Sequence, residues 1–425
     1  MTKKTLLVIS LLLAMIFVFV GCTGESFKFD ALTVETMSGD LESNGGVSVS
    51  YKGYTYFING NVGTNTNDNT FGEVTYGAIC RVKTSALTDG TFVDRVLESD
   101  EYPEVEVLAP KAIYTAATTN ANSNGIFIYG DKLYYTTPST TTDREGAIQN
   151  SYLDIMSVSL DGTGTQRLFT VDGNSFDMMI AQNGNNVYAV YLNAEVLYQV
   201  NLTDATNGAV EVAEHVSGIS FLPSAGVAVF TQAKPEEGHE DHDHEATSND
   251  ICIFTVGQEE SATVISGKGS DVSYNAILTV EEVTESNIYF SVADDSAGRN
   301  GLFRVALSAR DNTFGASFST LKLSGENLLS SGLVYAVSGS ENIVFYNATE
   351  KYVQYFDTQL KSLTNLFYSS SAPSLLKVSG DKVFYTLSSK IKYFDVQACL
   401  NADGDYARED ANVVVSSLSS STKST

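Results

Sequence analysis

Tryptophan is absent from this 425-residue chain, histidine and cysteine occur four times each, and proline six times. These gaps exclude several kinds of protein. No Cys-x-x-Cys occurs, so a zinc ribbon or dithiol redox motif is ruled out. Lys and Arg number 25 against 51 Asp and Glu, a formal net charge of −26. That surplus repels phosphate backbones and anionic headgroups, which excludes nucleic acid and electrostatic docking on anionic lipid. The acids are spread along the chain, as on a solvated surface. Gly-x-Ser-x-Gly, His-Glu-x-x-His and the P-loop are also missing, so no enzyme is expected. A glycosidase, which needs only two suitably spaced carboxylates, is the enzyme class carried forward.

The start of the chain sets an expected compartment. Lys3 and Lys4 precede a run from Leu6 to Val20 whose only polar residue is Ser10. A helix that spans a bilayer needs about 20 apolar residues, and this run is shorter. It ends Phe19-Val20-Gly21-Cys22. The segment resembles a bacterial lipoprotein signal with its lipobox. The resemblance implies that the small Gly21 fits the peptidase, that the Cys22 thiol takes a diacylglyceryl group, and that Cys22 becomes the N-terminus. Phe19 departs from the Leu usual at that place. An ordinary cleaved signal or a short anchor is the alternative. Thr23, rather than Asp, points to the outer membrane if the envelope has two. The expected location is therefore the outer face of the cytoplasmic membrane or the outer membrane, outside the cytoplasm. Lys3 and Lys4 leave with residues 1–21 and no acid does, so the net charge falls by two, from −26 to −28.

What is plentiful is strand signal. The chain carries 23 Tyr and 22 Phe, with many Val, Ile and Thr, residues that suit a pleated, half-buried surface. Turn pairs punctuate it, among them Asn59-Gly60, Asp89-Gly90, Asn124-Gly125, Asp161-Gly162 and Gly380-Asp381. After the signal no long amphipathic helical pattern appears.

The strands repeat as a unit, an aromatic strand after a turn and then a second strand closing in a polar turn. The clearest copy runs Gly125-Ile126-Phe127-Ile128-Tyr129, turns at Gly130-Asp131, and continues Lys132-Leu133-Tyr134-Tyr135-Thr136. Its second half is Ile155-Met156-Ser157-Val158-Ser159-Leu160-Asp161-Gly162. Seven copies centre on Phe57, Tyr135, Tyr188, Phe230, Phe290, Phe345 and Phe384, at steps of 39 to 78 residues. Four-stranded propeller blades recur at about 40–50 residues, and longer steps hold insertions. A single sheet with two apolar faces cannot bury both; packing sheets radially buries each against a neighbour.

The pattern resembles bacterial β-propellers built on aromatic repeats. These include TolB-like propellers and the low-density-lipoprotein-receptor-like propeller domain of unknown function found in bacterial lipoproteins. The lack of Trp sets it apart from WD40 and quinoprotein-type propellers. The resemblance implies an all-β chain with a seven-bladed β-propeller, range six to eight, of four-stranded antiparallel sheets. The expected layout is a signal at 1–21, a tether with a closing strand at 22–44, the propeller at 45–415 and a Ser/Thr-rich tail at 416–425. Phe27 to Thr36 is a candidate closing strand for the last blade, with Val413-Val414-Val415 beside it.

One segment has an unusual composition. Pro235-Glu236-Glu237-Gly238-His239-Glu240-Asp241-His242-Asp243-His244-Glu245 holds three of the four histidines, interleaved with carboxylates. Neutral imidazole and carboxylate ligate zinc, copper or nickel, so His239, His242 and His244 are candidate ligands for zinc or another divalent metal. Weak adventitious binding, or none, is the alternative. No cofactor is expected to be required. Asn401 to Asp405 offers alternating oxygens, but its Gly404 is fourth and Asn412 twelfth, so an EF-type calcium loop fails. The remaining histidine, His215, has no evident catalytic partner in sequence. Of Cys80, Cys252 and Cys399, a Cys80–Cys399 disulfide is one option, and three buried thiols the other. The expected function is a membrane-anchored scaffold that binds a protein or glycan ligand. Metal handling and carbohydrate chemistry are the alternatives.

Overall fold

The computed structural model describes residues 41–46, 48–58, 78–86, 106–109, 112, 125–140, 145, 152–172, 177–203, 208–233, 248–267, 277–293, 301–314, 322–323, 326–327, 334–336, 340–347, 349–370, 376–379, 382–387, 390–401 and 412–415. Strands dominate them, and the α-helix there is short, Val396–Asn401. The strands form seven sheets of three to five strands, plus a small two-stranded pair.

Each aromatic repeat is one sheet. The seven central aromatics lie in Tyr54–Ile58, Lys132–Pro138, Asn186–Asn193, Val227–Ala233, Asn287–Ala293, Ile343–Asn347 and Lys382–Leu387, in every case the second strand of a simple up-and-down sheet. The fourth sheet shows the pattern. Val216–Leu222 pairs with Val227–Ala233, which pairs with Asn249–Thr255, which pairs with Ala262–Ser266, all antiparallel. A short parallel strand, Asn312–Thr313, is added at its outer edge.

The sheets stack in chain order because strand side chains alternate between faces. In the fourth sheet Ala228, Phe230, Cys252 and Phe254 pack on the third sheet's Met179, Ala181 and Val190. Their neighbours Val227, Val229, Ile251 and Ile253 pack on the fifth sheet's Leu278, Phe290 and Phe303. The second sheet does the same, with Ile126, Ile128, Leu133 and Tyr135 against the first sheet. Its alternate residues Phe127, Tyr134 and Ile155 lie against the third sheet. Tyr289 and Leu302 of the fifth sheet meet Ile343, Phe345 and Phe356 of the sixth. Two-sided burial accounts for nearly continuous apolar strands such as Ile251-Cys252-Ile253-Phe254, which would be unsuited to a sheet with one face in water.

First strands lie side by side along one edge of the stack, from Val216–Leu222 through Ile277–Val283 and Val334–Ala336 to Leu376–Ser379. Sheets stacked in sequence, inner strands together, make a β-propeller.

The two ends of the stack differ. At one, the turn end, short first-to-second connections cluster and polar clasps join neighbouring sheets. Lys52 and Gly53, both at positive φ, make the tight hairpin of the first sheet. The Tyr51 hydroxyl donates to the Gly130 carbonyl at 3.3 Å, joining the first and second sheets. Asn183 Nδ2 donates to the Val256 carbonyl at 2.8 Å, joining the third and fourth. Gly257 there sits at φ +79, and a Cβ would fall 2.6 Å from Asn183 Nδ2, so a side chain would strain the backbone and displace Asn183 from its bond. The Ser220 hydroxyl donates to Glu282 at 2.8 Å between the fourth and fifth sheets. Glu341 accepts from Thr284, Asn287 and the Tyr289 hydroxyl between the fifth and sixth.

At the opposite, linker end, second strands connect to third strands and each sheet passes to the next. Connections there range from the two-residue turn 194–195 to the long segments 59–78 and 234–248.

One feature differs from expectation. The strand Leu41–Gly46 joins the second sheet, pairing antiparallel with Ile126–Tyr129 on the inner side. It lies against Asp177–Asn183 of the third sheet and the turn Pro223–Ala225 of the fourth. The fourth strand of the last sheet is Asn412–Val415, on Lys390–Asp395. The proposed closing strand Phe27 to Thr36 lies outside the described residues, as do the signal and the tail. Cys80 is a buried thiol aimed at the Ala78 carbonyl, and desolvation raises its pKa far above the usual range. The Cys399 side chain is outside the described residues.

Candidate functional site

Cys22 and the triad His239, His242 and His244 lie outside the described residues. The roots of the histidine segment are described. Ala233 and Asn249 are paired across adjacent strands, so residues 234–248 leave and re-enter at one point on the linker end.

Both roots are firmly seated. Gln232 Nε2 donates to the Glu214 carbonyl at 3.0 Å and its Oε1 accepts from the Cys252 thiol at 3.6 Å. Asp250 is buried and accepts from the Ser266 hydroxyl at 2.9 Å and the Gly267 amide at 3.2 Å. Asn249 Nδ2 reaches the Leu278 carbonyl of the fifth sheet at 3.4 Å. Polar groups satisfied this way fix the backbone that carries them.

The fourth histidine is at the same root, which sequence reading missed. His215 sits in the connection from the third to the fourth sheet, exposed, at φ +58. Its carbonyl accepts the Ala233 amide at 3.0 Å. Positive φ is uncommon for a residue with a side chain and worth noting. The separation of 18 residues between His215 and Ala233 hides this juxtaposition in the sequence; only strand pairing within the fourth sheet creates it.

Other features share this end. Tyr352 and Tyr368 are cross-strand partners in the sixth sheet, with rings edge to face at 5.4 Å, and Tyr368 is 49 % exposed. Ile277, 46 % exposed, starts the fifth sheet there.

A second polar constellation is buried between the first and second sheets. Arg81 is fully buried on the strand Ile79–Lys83. Its Nε donates to Glu106 on the next strand, and its Nη1 donates to the Leu160 carbonyl of the second sheet. The guanidinium lies 4.5 Å from the centre of the Tyr54 ring. Burial pushes the Tyr56 hydroxyl up to about 12, against the opposing pull of Arg81. This cluster joins the two sheets.

Among the described residues no three His, Cys, Asp or Glu side chains converge as a metal site. No helix among them is long and apolar enough to cross a membrane.

No family model matches the chain, and no curated protein does. Solved structures match the chain only at low similarity. A puromycin-hydrolysing peptidase of Mycobacterium tuberculosis is 11 % identical at a TM-score of 0.35, the match covering 72 % of this chain and 56 % of that one. TolB of Acinetobacter baumannii is 14 % identical at 0.38, over 64 % and 63 %. A chain of a nidogen/laminin complex is 9 % identical at 0.36, over 68 % and 96 %. The match thus spans less than two thirds of the first two. At these scores none of the three assigns an activity.

Proposed function

We propose that the chain is an extracytoplasmic scaffold, held to a bacterial envelope membrane by lipid on Cys22, whose linker end binds a protein or glycan. In this reading each sheet is one of seven blades, and the protein is not an enzyme. The observation that carries it is the two-sided burial of successive sheets. It makes a stiff body, and connections of very different length leave that body at one end. Loops on a rigid scaffold commonly carry binding.

Photo-crosslinking in living cells tests the reading. A reactive residue at Tyr368, on the linker end, should capture an envelope protein or glycan. The same residue at Leu360, 77 % exposed on the turn end, should not. Equal capture at both positions, or none at Tyr368, overturns the proposal. Cys22→Ala should move the protein from the membrane fraction to the soluble one, because acyl chains supply about 0.8 kcal/mol per buried CH₂.

One observation favours a second reading, metal handling. His215 bonds Ala233, the residue from which the segment containing His239, His242 and His244 departs in sequence. Zinc would be held by neutral imidazoles, assisted by the interleaved carboxylates. Calorimetric titration of the mature protein should give micromolar zinc binding that a His239→Ala, His242→Ala, His244→Ala variant loses. An absence of heat with the wild-type protein removes this reading.

A further inference from the structure

The chain enters the folded body at a particular place and in a particular direction. Leu41 pairs with Tyr129 and Gly46 with Ile126. Tyr129 is the last residue of its strand, next to the hairpin at Gly130 and Asp131. Leu41 therefore lies at the turn end and Gly46 at the linker end. The contact of this strand with Pro223–Ala225, another first-to-second turn, places it at the same end. The strand sits on the inner side of the second sheet, beside the first strand of the third. The N-terminal segment thus leaves the body near the axis, at the turn end.

We propose that the turn end faces the membrane and the linker end faces away from it, so that the linker end meets partners approaching from outside the bilayer. This rests on the lipid anchor at Cys22. Eighteen residues, 23–40, separate Cys22 from Leu41. A random coil of eighteen residues spans about 24 Å root-mean-square, and any chain of that length reaches at most about 60 Å fully drawn out. With the turn end down, the anchor lies directly below the exit point. With the linker end down, the segment must cross the width of a four-stranded sheet, about 19 Å, and then descend the length of the strands, about 20 Å. That detour of about 40 Å stretches the segment well beyond its relaxed span. The upright orientation needs no stretching.

The polar clasps strengthen the argument. Tyr51 with Gly130, Asn183 with Val256, Ser220 with Glu282 and Glu341 with Asn287 all lie at the turn end. They tie the first sheet to the second and the third through to the sixth at this end, and the strand Leu41–Gly46 itself bridges the second sheet and the third, so one exit point orients the whole body.

Energy transfer from dye-labelled protein to acceptor lipids reads the orientation directly. The full-length lipidated protein, carrying Cys399→Ser to remove a native thiol, is reconstituted in phospholipid vesicles. Single labels go on Glu214→Cys or Lys351→Cys at the linker end, and on Glu259→Cys or Lys361→Cys at the turn end; all four native residues are exposed. The turn-end labels should lie about 20 Å nearer the bilayer than the linker-end labels, in both pairs. Vesicle flotation is measured first. Failure to float overturns the anchor and this inference with it. Flotation with equal or reversed heights overturns the orientation alone and leaves the anchor standing.

Discussion

Replacing Arg81 by alanine should destabilise the protein by about 3–5 kcal/mol. Arg81 is fully buried, its guanidinium held by Glu106, by the Leu160 carbonyl and over the Tyr54 ring. Alanine removes the positive charge and leaves the Glu106 carboxylate, itself only 9 % exposed, without the cation that offsets its desolvation. The Leu160 carbonyl loses a donor as well, a further cost of about 1–3 kcal/mol where water cannot enter. If desolvation dominates, removing both charges should be far milder than removing one. The double variant Arg81→Met, Glu106→Leu should regain most of the loss, ending within about 2 kcal/mol of wild type. Urea unfolding followed by far-ultraviolet circular dichroism gives both numbers, and the chain's lack of tryptophan makes tyrosine emission the second probe. The slope with urea should stay constant, since the surface exposed on unfolding hardly changes. A loss below about 1 kcal/mol for Arg81→Ala would refute the reasoning, because it would place the pair in water. A double variant as unstable as the single one would also refute it.

Two further outcomes follow from the same packing. Burial raises Tyr56, Tyr134, Tyr135, Tyr191 and Tyr289 from 10.0 to about 12. These groups ionise later in the folded state than in the unfolded one, so stability is intact below pH 10 and falls between pH 10 and 12, by up to about 1.4 kcal/mol per pH unit for each fully buried tyrosine. Absorbance at about 295 nm should show tyrosines that ionise only as the circular dichroism collapses; smooth titration without unfolding would contradict this. The hairpin of the third sheet turns through Ala194 and Glu195 at φ +47 and +64, where side chains are strained. Glu195→Gly should therefore stabilise the protein by up to about 1 kcal/mol, seen as a higher urea midpoint, and a lower midpoint would show that the turn carries no strain.

Several features were legible from residue order alone. Alternating apolar residues and aromatic pairs located the second strand of all seven sheets, because side-chain direction in a strand depends only on parity. The turns that close the repeats were also readable. Asp161 accepts from the Thr163 amide and hydroxyl at 2.9 and 2.6 Å, which holds its carboxyl below the usual range. Asp357 likewise accepts the Gln359 and Leu360 amides at 2.9 and 2.8 Å. Asp and Asn end these strands because their short side chains satisfy the backbone of the turn that follows. The polar strand Leu41–Gly46 gave no such signal. Glu, Ser, Asn and two Gly have low strand preference, and its pairing is interrupted by two register shifts. The vacant inner edge of Ile126–Tyr129, a long-range feature, makes it a strand.

His215 shows the same division. Its neighbours along the chain suggest nothing beyond a surface residue, whereas strand pairing sets it one hydrogen bond from the root of the histidine segment. By itself the sequence determined the all-β class, the sevenfold repeat and the composition of that segment, because these follow from local periodicity and residue chemistry. Tertiary structure decided which repeats share an interface, which end holds His215 and the roots of the histidine segment, and where the N-terminal strand lies. Those outcomes depend on edges and faces that exist only once distant strands have paired.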